Sequence, residues 1–306
     1  MHSDYQHILD TIHGEIKPLL GKGKVASYIP ELSKISPDHF GMAIYCLDGR
    51  TYSVGDAGVR FSLQSITKLF ALALAFSREG DAVWTRVGRE PSGNPFNSLV
   101  QLEFERGKPR NPFINAGALV ITDILATRFV QADIAVLQFA RMLADEQTID
   151  FDPTVALSER KTAHRNSAIA HFMKDFGNLH NPVDVVIDNY CSQCSITMTC
   201  AELAKAGSFL AQHGTIPWNG TQILDASSAK RLNALMLTCG TYDAAGDFAY
   251  HVGLPAKSGV GGGILALLPG EAAIAVWSPG LDAAGNSLAG AYALERFTTL
   301  TARSIF

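Results

Sequence analysis

The sequence predicts a mixed α+β fold: one antiparallel sheet built from both chain ends, with flanking helices, interrupted by an inserted helical subdomain. Two observations carry this prediction. Strand-like apolar runs, punctuated by Gly, Pro and Asp turns, occur at 41–55 and again at 249–278, whereas the stretch between them repeats its apolar residues at helical spacing. The 306 residues, 47% hydrophobic and 18% charged, also supply a large core. At this length folding removes roughly 75% of the unfolded surface from water.

The elements follow in order. Met1 to Lys24 places Tyr5, Ile8, Leu9, Ile12, Ile16 and Leu19 on one face, which predicts a docked amphipathic helix. A connection from Pro30 to Pro37 leads to Gly41–Gly55, two apolar runs around Asp48-Gly49, the pattern of a β-hairpin. Helices are predicted at Ile66–Phe76, Asn115–Phe129, Ile134–Leu143, Ser167–Phe176 and Met198–His213. Strand chemistry returns at Ala249–Leu254, Gly262–Leu268 and Ala272–Ser278, and a closing helix is expected over Leu288–Ser304. The expected organisation is a single unit, 1–306, with a sheet-containing part from 1–63 and 240–306 and a mainly helical part at 64–239. A cleft between these layers is the natural site.

Charge and composition exclude several classes of function. A formal net charge of −4, with no block of Lys and Arg among aromatics, gives no field for a phosphate backbone, so nucleic acid is not an expected partner. The N-terminal segment lacks the continuous apolar run of a signal peptide. The best uncharged stretch, Leu69–Phe76, falls well short of the roughly 20 residues that span a bilayer. A soluble, cytoplasmic protein without a membrane partner is expected. Five cysteines, an odd number, argue against a disulfide framework. Cys191 and Cys194 form a C-x-x-C, but Cys200 and Cys239 do not add a second pair at zinc spacing, so buried thiols are expected and no metal. The nine histidines include no H-E-x-x-H.

The residues that carry chemistry begin at Ser65-Ile66-Thr67-Lys68. This S-x-x-K precedes an apolar helical run, so one turn of helix puts a hydroxyl and an ammonium on the same face. A serine needs a base to attack an amide, and a lysine in a dry site near other positive charge can be neutral enough to serve. The alternative is a capping serine beside a surface lysine. Against it stands the apolar character of the helix all round, which implies burial. A second motif, Lys257-Ser258-Gly259, lies between two predicted strands and corresponds to the K-T/S-G of serine acyl-enzymes. Gly259 permits close backbone approach, and the N–H groups of Ser65 and Val260 would form a two-donor oxyanion hole.

Across nearly its whole length the chain resembles the bacterial-type serine-dependent glutaminases, relatives in fold of the β-lactamases and penicillin-binding proteins. The resemblance rests on Lys24–Pro30 (KVASYIP), Ser65–Lys68 (SITK), Asn111–Gly117 (NPFINAG), Glu159-Arg160 with Arg165-Asn166, Tyr190–Ser195 (YCSQCS), Cys239–Asp243 (CGTYD), Pro255–Gly263 (PAKSGVGGG) and Ser278–Asp282 (SPGLD). It implies a serine β-lactamase-like fold and hydrolysis of L-glutamine to L-glutamate and ammonia, with no cofactor, in a dimer or tetramer. Ser65 would be the nucleophile and Lys68 its base, with Asn115, Glu159, Asn166, Tyr190, Tyr242 and Val260 around the substrate. Tyr190 or Tyr242 would protonate the leaving group, Glu159 would hold the α-ammonium, and Asn115 and Asn166 the α-carboxylate.

Read without the resemblance, Glu159 beside Arg160 and Lys161 is solvated charge, and the tyrosines are core. Two rival functions fit the same Ser-Lys pair: a penicillin-recognising hydrolase or esterase, and a glutamine-binding module without turnover. No S-D-N element is recognisable, and a buried Glu159 would repel the carboxylate of a penicillin.

Overall fold

A computed structural model describes residues 4–93 and 98–306. Met1 to Ser3 of the expected N-terminal helix lie outside the described residues; the helix itself runs Tyr5–Ile16, N-capped by Asp4, with Tyr5, Leu9, Ile12 and Ile16 buried.

The expected hairpin is formed by β1 (Gly41–Cys46) and β2 (Thr51–Gly55), paired antiparallel from Gly41 opposite Gly55 to Tyr45 opposite Thr51. A short β3 (Phe61–Ser62), β4 (Asp150–Phe151) and β5 (Ile196–Met198) form a separate sheet in the order β3-β5-β4. From the C-terminal part come β6 (Ala256–Ser258), β7 (Gly263–Leu268) and β8 (Ala272–Trp277). The main sheet runs β2-β1-β8-β7-β6, all antiparallel, so the first and last thirds of the chain meet at β1 and β8.

Both faces of this sheet are covered, which is why β1, β7 and β8 are apolar throughout rather than alternating with polar residues. Met42, Ile44, Ile264, Ala266, Ile274 and Val276 face the helices Tyr5–Ile16 and Leu288–Thr301. The alternate set, Ala43, Tyr45, Leu265, Leu267, Ala273 and Ala275, faces the helical layer. There the helix Cys200–Ala211 lies against the sheet so closely that a Cβ on Gly207 would come within 2.7 Å of Leu265. Behind it stand Thr67–Glu79, Asn115–Arg128, Ala132–Ala144 and Val183–Cys194. Asn115–Arg128 is buried from Asn115 to Leu125, matching its lack of a polar face.

One predicted strand is wrong. Ala249–Leu254 is not extended: the chain forms a helix over Ala245–His251, burying Ala245 and Phe248. The short segment satisfies both periods, since Phe248 and the buried Val252 stand four residues apart. Gly253 at φ +66° and Pro255 then break the helix, and extension begins only at Ala256. Lys257-Ser258, expected between two strands, therefore lies on a strand of its own at the sheet edge. The helix predicted at Met198–His213 starts later, at Cys200, after β5 and a capping box between Thr199 and Glu202. Among the described residues no helix is long and apolar enough to cross a membrane.

Candidate active site

Ser65 sits in a single 3₁₀ turn, Gln64–Ile66, at the entrance to the helix Thr67–Glu79, and is 8% exposed. Gln64 takes φ +50°, a left-handed conformation costly for a residue with a Cβ, which aims the turn at the site. Lys68, on the first turn of that helix, is 3% exposed. Its Nζ donates to Asn115 Oδ1 at 2.6 Å and to the Phe113 carbonyl at 3.3 Å. Burial draws its pKa down to about 8, against the raising influence of Cys194 and Glu159.

Asn115 is delivered by the turn before its helix, where Asn111 Oδ1 accepts from the N–H groups of Phe113 and Ile114. This turn folds onto Gly117, where a Cβ would stand 1.9 Å from the Asn111 carbonyl oxygen. Asn115 Nδ2 donates to Asn166 Oδ1 at 2.9 Å, joining two of the predicted substrate ligands.

Glu159 lies on the helix Pro153–Thr162, started by the Asp152 cap and Pro153. The solvated-charge reading does not hold for it: Glu159 is 6% exposed, while the neighbouring Arg160 pairs outward with Asp188 and Asp184. Burial raises its pKa to about 7, offset by Cys194, Lys68 and Gln64. Although Gln64 and Cys194 approach the carboxyl group, Oε2 has no hydrogen-bond partner among the described residues. A buried carboxylate oxygen left open toward a site suits a cationic ligand group.

Tyr190 is 3% exposed, and its hydroxyl lies 3.4 Å from Asn115 Oδ1. Burial drives its pKa well above the ordinary tyrosine value. Tyr242, at φ +61°, is 8% exposed, and its phenol lies beside the hydroxyls of Ser65 and Ser258, close enough for both to influence it. Burial pushes Tyr242 up to about 12 despite those two neighbours, so it carries its proton at neutral pH.

The glycine loop after β6 packs directly on the Ser65 turn. A Cβ on Gly259 would stand 2.4 Å from the Leu63 carbonyl oxygen, and one on Gly261 2.3 Å from that of Ser62. Trp277 Nε1 pins the loop by donating to the Gly261 carbonyl at 3.0 Å, its ring stacked on Phe61 at 5.2 Å. The Val260 N–H donates to no backbone carbonyl among the described residues.

The structure thus brings Ser65, Lys68, Asn115, Glu159, Asn166, Tyr190, Tyr242 and Val260 to one region. It adds two residues that lie in motifs of the sequence but were given no site role there. Lys257 is fully buried, its Nζ donating to the carbonyls of Gly240 at 2.9 Å and Ser258 at 2.6 Å. Burial, then the charge of Lys68, lower its pKa well below the ordinary lysine value. Tyr28, inside KVASYIP, is 56% exposed yet close enough to Tyr242 and Glu159 to feel both.

The sequence model of the Glutaminase family matches residues 23–306. The chain belongs to the glutaminase family. This glutaminase is 65% identical over 303 residues to the glutaminase of Ralstonia nicotianae, covering 99% of this chain and 100% of that one. It is 63% identical over 303 residues to that of Paraburkholderia phytofirmans, with the same coverage. Among solved structures it is similar to a probable glutaminase, ybaS, at 36% identity and TM-score 0.94, covering 100% of this chain and 99% of that one. It is also similar to the probable glutaminase from Bacillus subtilis complexed with 6-diazo-5-oxo-L-norleucine, at 34% identity and TM-score 0.90, covering 100% and 98%. These neighbours carry the β-lactamase-like arrangement of helices and antiparallel sheet that the sequence predicts.

Proposed function

We propose that this glutaminase hydrolyses the side-chain amide of L-glutamine to L-glutamate and ammonia through an acyl-enzyme on Ser65. The observation that carries this mechanism is the meeting, in one buried site, of Ser65, a lysine drawn down to about 8, and a protonated tyrosine beside the serine.

Neutral Lys68 takes the Ser65 proton as Oγ forms its bond to the amide carbon. The carbonyl electrons move to oxygen, and that oxyanion rests on the N–H groups of Ser65 and Val260. Collapse breaks the C–N bond while Tyr242 gives its proton to the nitrogen, and the proton on Lys68 returns to the tyrosinate. Water then adds to the glutamyl ester with Lys68 as base, and the Ser65–carbon bond breaks as the proton returns to Oγ. Tyr242 suits the acid role because it is the tyrosine whose phenol lies beside Ser65, whereas the Tyr190 hydroxyl meets Asn115.

Glu159 Oε2 accepts the α-ammonium of the substrate. Asn115 keeps one N–H of its amide, and Asn166 its own amide group, for the α-carboxylate. The reaction needs no cofactor. A cytoplasmic homo-oligomer, dimer or tetramer, follows from the resemblance and is measurable by light scattering. Ammonia release from L-glutamine, set against L-asparagine and a chromogenic lactam, tests the substrate class. Release from glutamine alone is expected, and lactam turnover would overturn it.

A further inference from the structure

Val260 and Gly261 are the central residues of a tight turn between β6 and β7, closed by the Gly262 N–H donating to the Gly259 carbonyl at 2.9 Å. The turn lies on the segment that carries Ser65, and the space there excludes side chains. A Cβ on Gly263 would stand 2.5 Å from the Phe61 ring, as tight as those of Gly259 and Gly261 against the carbonyls of Leu63 and Ser62. Glycine permits this approach but leaves the neighbouring peptide planes without steric restraint. What holds the turn from outside therefore sets where the Val260 N–H points. Trp277, at the end of β8 and opposite Gly263 in the register, supplies that hold: Nε1 donates to the Gly261 carbonyl at 3.0 Å. The N–H of the next residue, Ser278, donates to the Gly262 carbonyl at 3.0 Å. The indole is itself fixed, stacked on Phe61 with an interplanar angle of 4° and on His39 at 5.0 Å, and His39 Nδ1 is 2.8 Å from Asp56 Oδ2. Phe61 begins the short strand that runs into the Ser65 turn. One buried indole thus bridges the segment of the nucleophile and the turn of Val260.

We infer that Trp277 is a positioning residue, whose indole N–H fixes the glycine turn so that the Val260 N–H points at the developing oxyanion together with that of Ser65. The inference rests on the Val260 N–H being an oxyanion donor. Such a donor acts only when aimed at the position the anion will occupy, and a misplacement of about 1 Å can cost about 10²-fold in rate. Three consecutive glycines, Gly261 to Gly263, cannot hold that aim by themselves. A rigid ring, locked by stacking and donating one hydrogen bond, restrains them from behind without entering the site.

The test is steady-state kinetics on L-glutamine with the full-length enzyme carrying Trp277→Phe, which keeps a stacking ring and removes the donor. A second variant carries β-(3-benzothienyl)alanine in place of Trp277, with sulfur where the indole has its N–H and the same shape otherwise. A third carries α-hydroxyisovaleric acid in place of Val260, so that an ester oxygen replaces the N–H itself. In both Trp277 variants kcat should fall by about 10–100-fold with KM changed less than about threefold, because the oxyanion exists only on the way to the acyl-enzyme. In the Val260 ester, loss of the indole N–H should lower kcat by less than about threefold more, since no N–H remains to be aimed. Should Trp277→Phe fail to fold, the benzothienylalanine enzyme keeps the packing and carries the same expectation. Losses that multiply in the combined variant, or a rise in KM with kcat unchanged, would overturn the inference. If the Val260 ester loses at least about tenfold in kcat while the benzothienylalanine enzyme loses nothing, the inference alone fails. If the Val260 ester turns over at the unsubstituted rate, the oxyanion role of Val260 fails and the inference fails with it.

Discussion

The Nζ of Lys257 lies 4.7 Å from the centre of the Tyr242 ring, on the strand that also presents Ser258 to the Tyr242 phenol. Tyr242 is therefore backed by a buried lysine and lies beside the Ser65 and Ser258 hydroxyls in front. This explains how a residue at φ +61° keeps one position beside the nucleophile.

Tyr242→Phe removes the proton donor while keeping the ring against Lys257. We expect kcat to fall by about 10²–10⁴-fold, the range of general acid catalysis, with little change in KM. Tyr190→Phe should raise KM more than it lowers kcat. Steady-state kinetics on both variants separates the roles, and equal kcat losses would remove the distinction.

Lys68 must be neutral to act as base, and burial has already brought its pKa to about 8. The sign follows: kcat should rise with pH through about 8 and level off above it. Lys68→Arg, which stays charged at every accessible pH, should lose more than about a hundredfold in kcat. A pH profile of kcat at saturating glutamine checks both statements, and a flat profile from pH 6 to 9 would count against Lys68 as the base.

Asp123 anchors the helical layer. It is fully buried and accepts from Arg86 Nη2 at 2.6 Å and from the N–H groups of His180 at 3.0 Å and Asn181 at 2.8 Å. Burial pushes its pKa up, but those hydrogen bonds outweigh it and leave the group below the ordinary aspartate value. Its contribution to stability is therefore complete above the unfolded pKa of about 3.9 and is lost as pH falls through the lower folded value. Asp123→Ala should cost about 3–5 kcal/mol, since it strands Arg86 and two backbone donors. Urea unfolding at neutral pH measures this, and a loss below about 1 kcal/mol would show that water replaces the carboxylate.

Much of this architecture was legible in the sequence, because its signals are periodic or sharply punctuated. The Asp48-Gly49 hairpin, the apolar runs of β7 and β8 and the helix after Ser65 all read directly. What escaped includes three helices of ordinary length, Pro153–Thr162, Val183–Cys194 and Ala226–Cys239, and features that are short or set by tertiary contact. The strands β3 and β4 are two residues each, too short for any period to register, and Ala245–His251 satisfies helix and strand patterns alike. The burial of Glu159 is hidden by Arg160 and Lys161 beside it. The left-handed turn at Gln64 carries no glycine to announce it. Lys257 was visible as part of a motif, but its contact with Tyr242 exists only once β6 has joined the sheet.

The most direct measurement is rapid acid quenching of the enzyme during L-glutamine turnover, followed by mass spectrometry of the peptide containing Ser65, with ammonia release assayed in parallel for Ser65→Ala. A glutamyl ester on Ser65, together with a loss of at least about 10³-fold in ammonia release in Ser65→Ala, is the predicted result. Continued ammonia release by Ser65→Ala at the unsubstituted rate, with no adduct on that peptide, would contradict it.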